Sequence, residues 1–234
     1  AEIARGVLSD GWYVIIAARN KSGLAEENHD NLKFQKMDVR VEADHQALVK
    51  TAFNWSGSLD CYINCAGFSQ WSQIKNVDET FWNKMLDINL KGTFWGCKVA
   101  AEHLSSGGSI VNVSSLAGKR GSANNSVYCA TKFGVNGITQ ALAKELGPKG
   151  IRVNAVCPVY VETPGLLEAL KNPEAPPKGQ DTAKYLKEFS ESNAALERLP
   201  KGNEIAELCF YLSSSKASAI TGQCINVDCG VLPQ

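Results

Sequence analysis

Six short runs rich in β-branched and aromatic residues recur along the chain, separated by stretches with helical spacing, and this alternation restricts the fold more than any other feature. The runs fall at residues 12–18, 32–37, 59–64, 109–114, 151–156 and 223–228. Between them, residues 44–54 carry apolar side chains at 47, 48 and 52, and residues 80–103 at 81, 85, 88, 94, 95 and 99. Residues 126–146 continue the pattern and end at Gly147-Pro148, a helix stop. Strands alternating with helices read as repeated βαβ units, which predicts an α/β protein with a doubly wound parallel sheet in three α/β/α layers. At 234 residues, with no repeat, linker or low-complexity tract, the chain is expected to form one domain over 1–234.

Charge and composition exclude several functions. Lys+Arg and Asp+Glu both total 24, so no positive field draws the chain to phosphate backbones or anionic lipid. The longest apolar run, residues 12–18, is too short to cross a bilayer, and no charged-then-apolar leader is present. Eight cysteines sit mostly inside apolar segments, without a C-x-x-C pair, and His29, His45 and His103 are isolated. The expectation is reduced structural cysteines, no metal site, and a cytoplasmic protein that binds neither nucleic acid nor membrane.

Residues 163–199 break the rhythm. They contain no strand, and Pro173, Pro176 and Pro177 cannot stand inside a helix, although 181–198 reads as a charged helix. A long irregular insertion after a core strand is more often a lid or binding loop than a linker. In a doubly wound sheet ligands bind beyond the carboxyl ends of the strands, the edge from which this insertion projects.

The chemistry gathers upstream of it. Tyr128 and Lys132 lie four apart on one helix face. A phenol is a poor proton shuttle at neutral pH, and a neighbouring ammonium is expected to lower its pKa. On spacing alone a solvated surface pair is the commoner outcome. Thirteen residues earlier Ser115 follows a strand at the carboxyl edge, where its hydroxyl can hold a substrate oxygen. Asn89, polar among apolar helical positions, must find partners, and a bound water is one candidate.

With these residues the sequence resembles the short-chain dehydrogenase/reductase family. The family's N-N-A-G turn stands here as Asn64-Cys65-Ala66-Gly67, and its N-x-x-G helix as Asn89-Leu90-Lys91-Gly92. The serine strand is residues 108–115, the Y-x-x-x-K pair is Tyr128 and Lys132, and residues 220–228 match the closing I-T-G-Q-x-x-x-V-D stretch. Six ordered motifs spanning most of the chain are more specific than any one. The resemblance implies a Rossmann-like dehydrogenase that moves a hydride between a nicotinamide and a carbonyl or secondary alcohol. Tyr128 would then be the general acid/base, and Lys132 would bind the ribose hydroxyls and depress the tyrosine pKa. Ser115 would polarise the substrate oxygen, and Asn89 would hold a relay water.

The same resemblance distributes the cofactor contacts. Arg19 and Asn20 end the second strand of the family fold without a carboxylate, the pattern that favours NADP(H), with NAD(H) possible. The alternative is an Arg19 that stacks on adenine or faces solvent. Asp38 and Val39 fall beside the adenine, and Asn64, Ala66 and Gly67 along the adenosine–ribose floor. Pro158, Val161 and Thr163 fall at the carboxamide, although Val159 replaces the usual glycine and restricts the turn. The family's first strand and Gly-rich phosphate loop have no counterpart, because residues 1–8 match the body of its first helix. The expectation is therefore a chain that begins inside a longer protein, with pyrophosphate-binding residues outside it.

The substrate pocket is expected among Ser115, Tyr128, Phe68, Trp71, Tyr160 and the insertion. Trp71 and Tyr160 are equally open to stacking on a ring and to core packing. Apolar surface on helices 80–103 and 126–146 suggests a homodimer or homotetramer. A non-catalytic dinucleotide-binding sensor or scaffold on the same fold is the rival reading, since fold alone does not give function. The joint presence of Asn89, Ser115, Tyr128 and Lys132 argues against it.

Overall fold

A computed structural model describes residues 2–21 and 23–233. The chain runs α1 (Glu2–Ser9), β1 (Val14–Ala18), β2 (Leu32–Lys36), α2 (Glu42–Ser56), β3 (Cys61–Asn64), α3 (Glu79–Leu86), α4 (Gly92–His103) and β4 (Ser109–Val113). It continues through α5 (Ser126–Leu146), β5 (Arg152–Pro158), α6 (Pro164–Leu170), α7 (Thr182–Asn193), α8 (Gly202–Ser213) and β6 (Cys224–Val227). All six strands stand where the β-rich runs predict them, and every pairing is parallel.

The central strands read as continuous apolar runs because helices cover both faces. On β4, Ile110 enters a core with Val99 and Ala100 of α4 and Leu146 of α5. The next residue, Val111, points the other way, to Ile205, Cys209 and Leu212 of α8. On β5, Val153 and Val156 divide in the same manner. The spacing argument left α8 unassigned, although its buried Ile205, Cys209 and Leu212 follow helical periodicity.

Two features depart from the simplest reading. The ladder falls into a β1–β2 pair and a β3–β4–β5–β6 sheet. Between β1 and β3 lies a cavity of 890 Å³, walled by Val14 and Ile16 on one side, Tyr62 and Asn64 on the other, and Ala4 and Val7 of α1. The expected single helix over 80–103 is divided by a wide turn at Asp87–Lys91. Asn89 sits in that turn, and the extra residue per turn aims its amide out of the helix at a neighbouring loop.

Most buried polar side chains inside the sheet find partners, although Asn226 Oδ1 on β6 has none among the described residues. Buried Asn112 accepts from Asn64 Nδ2 at 2.9 Å and donates to Thr139 Oγ1 at 3.0 Å, tying β3, β4 and α5 together. Gly96 on α4 packs against this pin. A methyl there would collide with Asn64 Oδ1 and stand 3.0 Å from Tyr62 Cε1. Gly137 on α5 is exposed, and a methyl there meets nothing within 4 Å.

Gly96→Ala is therefore expected to destabilise the protein by about 1–3 kcal/mol through overpacking. Gly137→Ala should stabilise it by up to about 1 kcal/mol through helix propensity. Thermal melts of the two variants check the opposite signs.

Candidate active site

The site is built where β4 meets α5. After Val113 the chain turns over α5 so closely that a methyl at Gly118 would lie 2.6 Å from Lys132 O. Asn136 Nδ2 holds the turn through Gly118 O at 2.9 Å, and Ser114 Oγ donates to Lys132 O at 3.3 Å. Ser115 opens the short helical turn Leu116–Gly118, accepting from Ala117 N at 3.1 Å. This tight approach brings the Ser115 hydroxyl within hydrogen-bond reach of the Tyr128 hydroxyl. Ser114 faces inward as a structural neighbour.

Lys132 is buried, 4% exposed, and its ammonium donates to Val113 O at 2.9 Å at the carboxyl edge of β4. It stands over the Tyr128 ring, 5.7 Å from the centroid. Burial lowers the Lys132 pKa to about 8. Burial also raises the Tyr128 pKa to about 12, with the Ser115 hydrogen bond pulling weakly the other way. The net shift of the tyrosine in the ligand-free protein is thus upward. Desolvation of the phenolate sets that direction, while the ammonium donates to Val113 O.

Asn89 also differs from expectation. Its Oδ1 accepts from Phe68 N and its Nδ2 donates to Phe68 O, both at 2.7 Å. The amide therefore clamps the backbone after β3, with its second N–H on Met85 Sδ at 3.1 Å and one Oδ1 lone pair left over. It remains close to the site: a methyl on Gly67 would lie 3.5 Å from Asn89 Oδ1 and 3.9 Å from Lys132 Nζ.

At the other end of the carboxyl edge, Arg19 and Asn20 are exposed beyond β1. Arg40 grips Asp38 through Nη2–Oδ2 at 2.6 Å and Nε–Oδ1 at 2.9 Å. That grip holds the Asp38 carboxyl down to about 2, with Arg19 adding a smaller pull. Val39 O receives His45 Nε2 at 2.8 Å, and His45 Nδ1 meets Tyr62 OH at 2.7 Å. Sequence reasoning missed Arg40, although it stands two residues after Asp38. The side chain of Asn64 is committed to Asn112, and Ala66 and Gly67 just beyond it are exposed. Thr163 Oγ1 caps α6 by accepting from Leu166 N at 3.2 Å, and Val161 packs into the sheet core beyond Pro158.

A cavity of 1190 Å³ opens above Ser115 and Tyr128, lined by Phe68, Tyr160, Tyr185 and Phe189. Tyr160 packs edge-on against Phe189 at 5.0 Å between centroids. Trp71 also lines this cavity, but it is 3% exposed and packed with Leu170, Ala175 and Leu186. Tyr185 and Phe189, four apart on α7, form a wall that the charged composition of 181–198 concealed.

The donor set fits a nicotinamide nucleotide. Lys132 is a buried cation that spends one of three donors on Val113 O, leaving two for a vicinal diol. Comparisons agree with the geometry. The family model described as enoyl-(acyl carrier protein) reductase matches residues 1–232. The chain belongs to the short-chain dehydrogenase/reductase family. A putative ketoacyl reductase of the monensin polyketide synthase from Streptomyces virginiae is 35% identical, over 98% of this chain and 90% of that protein. The 3-oxoacyl-(acyl-carrier-protein) reductase FabG of Thermotoga maritima is 36% identical, over 75% of this chain and 67% of that protein. A solved variant of the actinorhodin polyketide ketoreductase with NADPH superposes with a TM-score of 0.87 at 30% identity, covering 98% of this chain and 91% of that one. The protein is thus an NAD(P)-dependent oxidoreductase of this family. Among the described residues no helix is long and apolar enough to cross a membrane.

The buried ammonium carries a sign that stability measurements read. Its pKa of about 8 lies below the ordinary lysine value, so unfolding takes up a proton between roughly pH 8 and 10.5. The destabilisation is complete below pH 8 and fades as pH rises through that window. Lys132→Met is expected to raise Tm at pH 7 and to raise it less at pH 10, while abolishing turnover.

Proposed function

We propose that the protein reduces a carbonyl to a secondary alcohol with NADPH, and runs the reverse oxidation, with Tyr128 as the general acid/base. The observation that carries this reading is the Tyr128–Ser115 hydroxyl pair at the floor of the aromatic-lined cavity. A phenol held near 12 stays protonated at neutral pH and is ready to donate to the oxygen of a reduced carbonyl. The nicotinamide, when bound, supplies the hydride in reduction and accepts it in oxidation. Ser115 donates to the carbonyl oxygen and holds it beside the phenol. Lys132, mostly cationic at pH 7, turns its two remaining donors to the ribose hydroxyls and steadies the phenolate left by proton donation. Asn89 acts through Phe68, fixing the wall opposite Tyr128.

NADP(H) is favoured by two guanidiniums, Arg19 and Arg40, at the adenosine end, where a 2′-phosphate finds charge-assisted donors. Asp38 and Val39 border the adenine, and Pro158, Val161 and Thr163 the carboxamide. The ketoacyl reductases among the relatives make a 3-oxoacyl compound the first substrate to try. Exposed Phe94 of α4 and Phe133 of α5 support assembly as a dimer or tetramer. Residues 163–199 form the substrate-side cover of a single 1–234 domain.

Tyr128→Phe is expected to lower kcat by about 10²–10⁴-fold with cofactor binding retained. Unchanged turnover of an identified ketone would reject the role. In wild type, kcat/KM with NADPH should exceed that with NADH, and Arg19→Asp should cut the ratio by at least ~10-fold. A wild type that prefers NADH contradicts the cofactor assignment.

A further inference from the structure

The cover over the cavity is tied down at one residue. Between α6 and α7 the chain makes a turn that reaches two loops far away in sequence. Glu174 Oε2 accepts from Gln73 N at 2.6 Å, and Oε1 accepts from Asn76 Nδ2 at 2.5 Å. The Glu174 carbonyl accepts from Asn124 Nδ2 at 3.0 Å, four residues before Tyr128. Asn172 shapes the turn by accepting from Glu174 N at 2.8 Å and donates to Trp71 O at 3.1 Å. Three segments, residues 71–76, 124 and 172–174, therefore meet on one carboxylate and its own backbone. Among the described residues that carboxylate has no cationic partner, and neutral donors satisfy both oxygens. Trp71 completes the joint by filling the small core between α6 and α7.

We propose that Glu174 is a positioning residue that sets substrate affinity by holding residues 163–199 closed over the cavity before substrate arrives. The inference rests on reading that cavity as the substrate site. A carboxylate hydrogen-bonded to amide donors is worth more than a neutral contact, and its removal leaves Gln73 N without its acceptor. Without the clasp the segment is closed for only a fraction of the time. Apparent affinity then falls by that fraction, while saturating substrate restores the closed form and with it kcat. A residue needed only for folding would instead lower the amount of active enzyme and leave KM unchanged.

The test uses Glu174→Ala, Glu174→Gln and Asn76→Ala, with acetoacetyl-coenzyme A and NADPH as probes. Glu174→Ala is expected to raise the KM for the thioester by ~10-fold or more, with kcat within about 2-fold. Glu174→Gln keeps one acceptor for Gln73 N and should fall between it and wild type. Asn76→Ala breaks a single bond from outside the segment and should shift KM the same way by less. The NADPH dissociation constant should stay at its wild-type value in all three. Limited proteolysis of the ligand-free proteins should cut within 163–199 faster in Glu174→Ala than in wild type. An unchanged KM, a loss confined to kcat, or wild-type cleavage rates would each overturn the proposal. If Glu174→Ala fails to fold, the other two variants decide it by the same readouts. A wild type that does not reduce the thioester would count against the proposed function, and the cleavage rates alone would then judge the clasp.

Discussion

A single buried ammonium organises the carboxyl edge at which the candidate site lies. Lys132 reaches the end of β4 and gives one hydrogen bond to Val113 O, and the groups around it are placed by how the chain accommodates that charge. The turn after β4 lies on α5 at backbone distance because Gly118 has no side chain, and Ser114 and Asn136 bind it there. Ser115 follows from that turn, and Tyr128 from one helical repeat before Lys132. Gly67 and Asn89 close the opposite side within a few ångströms of the same nitrogen. An isolated cation in such a place costs stability, and functional sites are where chains retain that cost.

The sheet supplies the rigidity that this arrangement needs. Parallel strands covered on both faces leave little room for polar groups, and several of those present tie neighbouring elements together. Asn112 joins β3, β4 and α5, and Arg152 donates to Leu212 O at 2.6 Å, fastening β5 beneath the end of α8. Asn154 Nδ2 does the same for the loop before β6 through Ile220 O at 2.8 Å. These pins sit below the carboxyl edge, and the loops that carry the reactive groups spring from strands they hold in place.

Periodicity made the architecture legible. Residues 126–146 coincide with α5, and the β-rich runs mark all six strands, because strands buried on both faces and amphipathic helices write their periods directly into sequence. The Tyr128–Lys132 pair was legible for the same reason: i and i+4 share a face. What the sequence could not show was the environment each group meets. The proximity of an ammonium suggests a lowered phenol pKa, whereas burial of the phenol itself sets an upward net shift in the ligand-free protein. The polarity of Asn89 suggested a water, yet the wide turn delivers it to the backbone of Phe68. The Glu174 clasp joins residues about a hundred positions apart, and no local pattern announces such a contact. Trp71 left two readings open, and only the packing of α6 and α7 around it decides between them.

The account rests on a tyrosine whose pKa burial raises in the ligand-free protein. Carbon-13 NMR of tyrosine labelled at Cζ, titrated in the ligand-free protein, measures that directly. The account predicts a Tyr128 resonance that titrates near 12 without cofactor and moves downward once NADPH saturates the site and the two remaining donors of Lys132 engage the ribose. A Tyr128 pKa at or below the ordinary phenol value of about 10 in the ligand-free protein would contradict it.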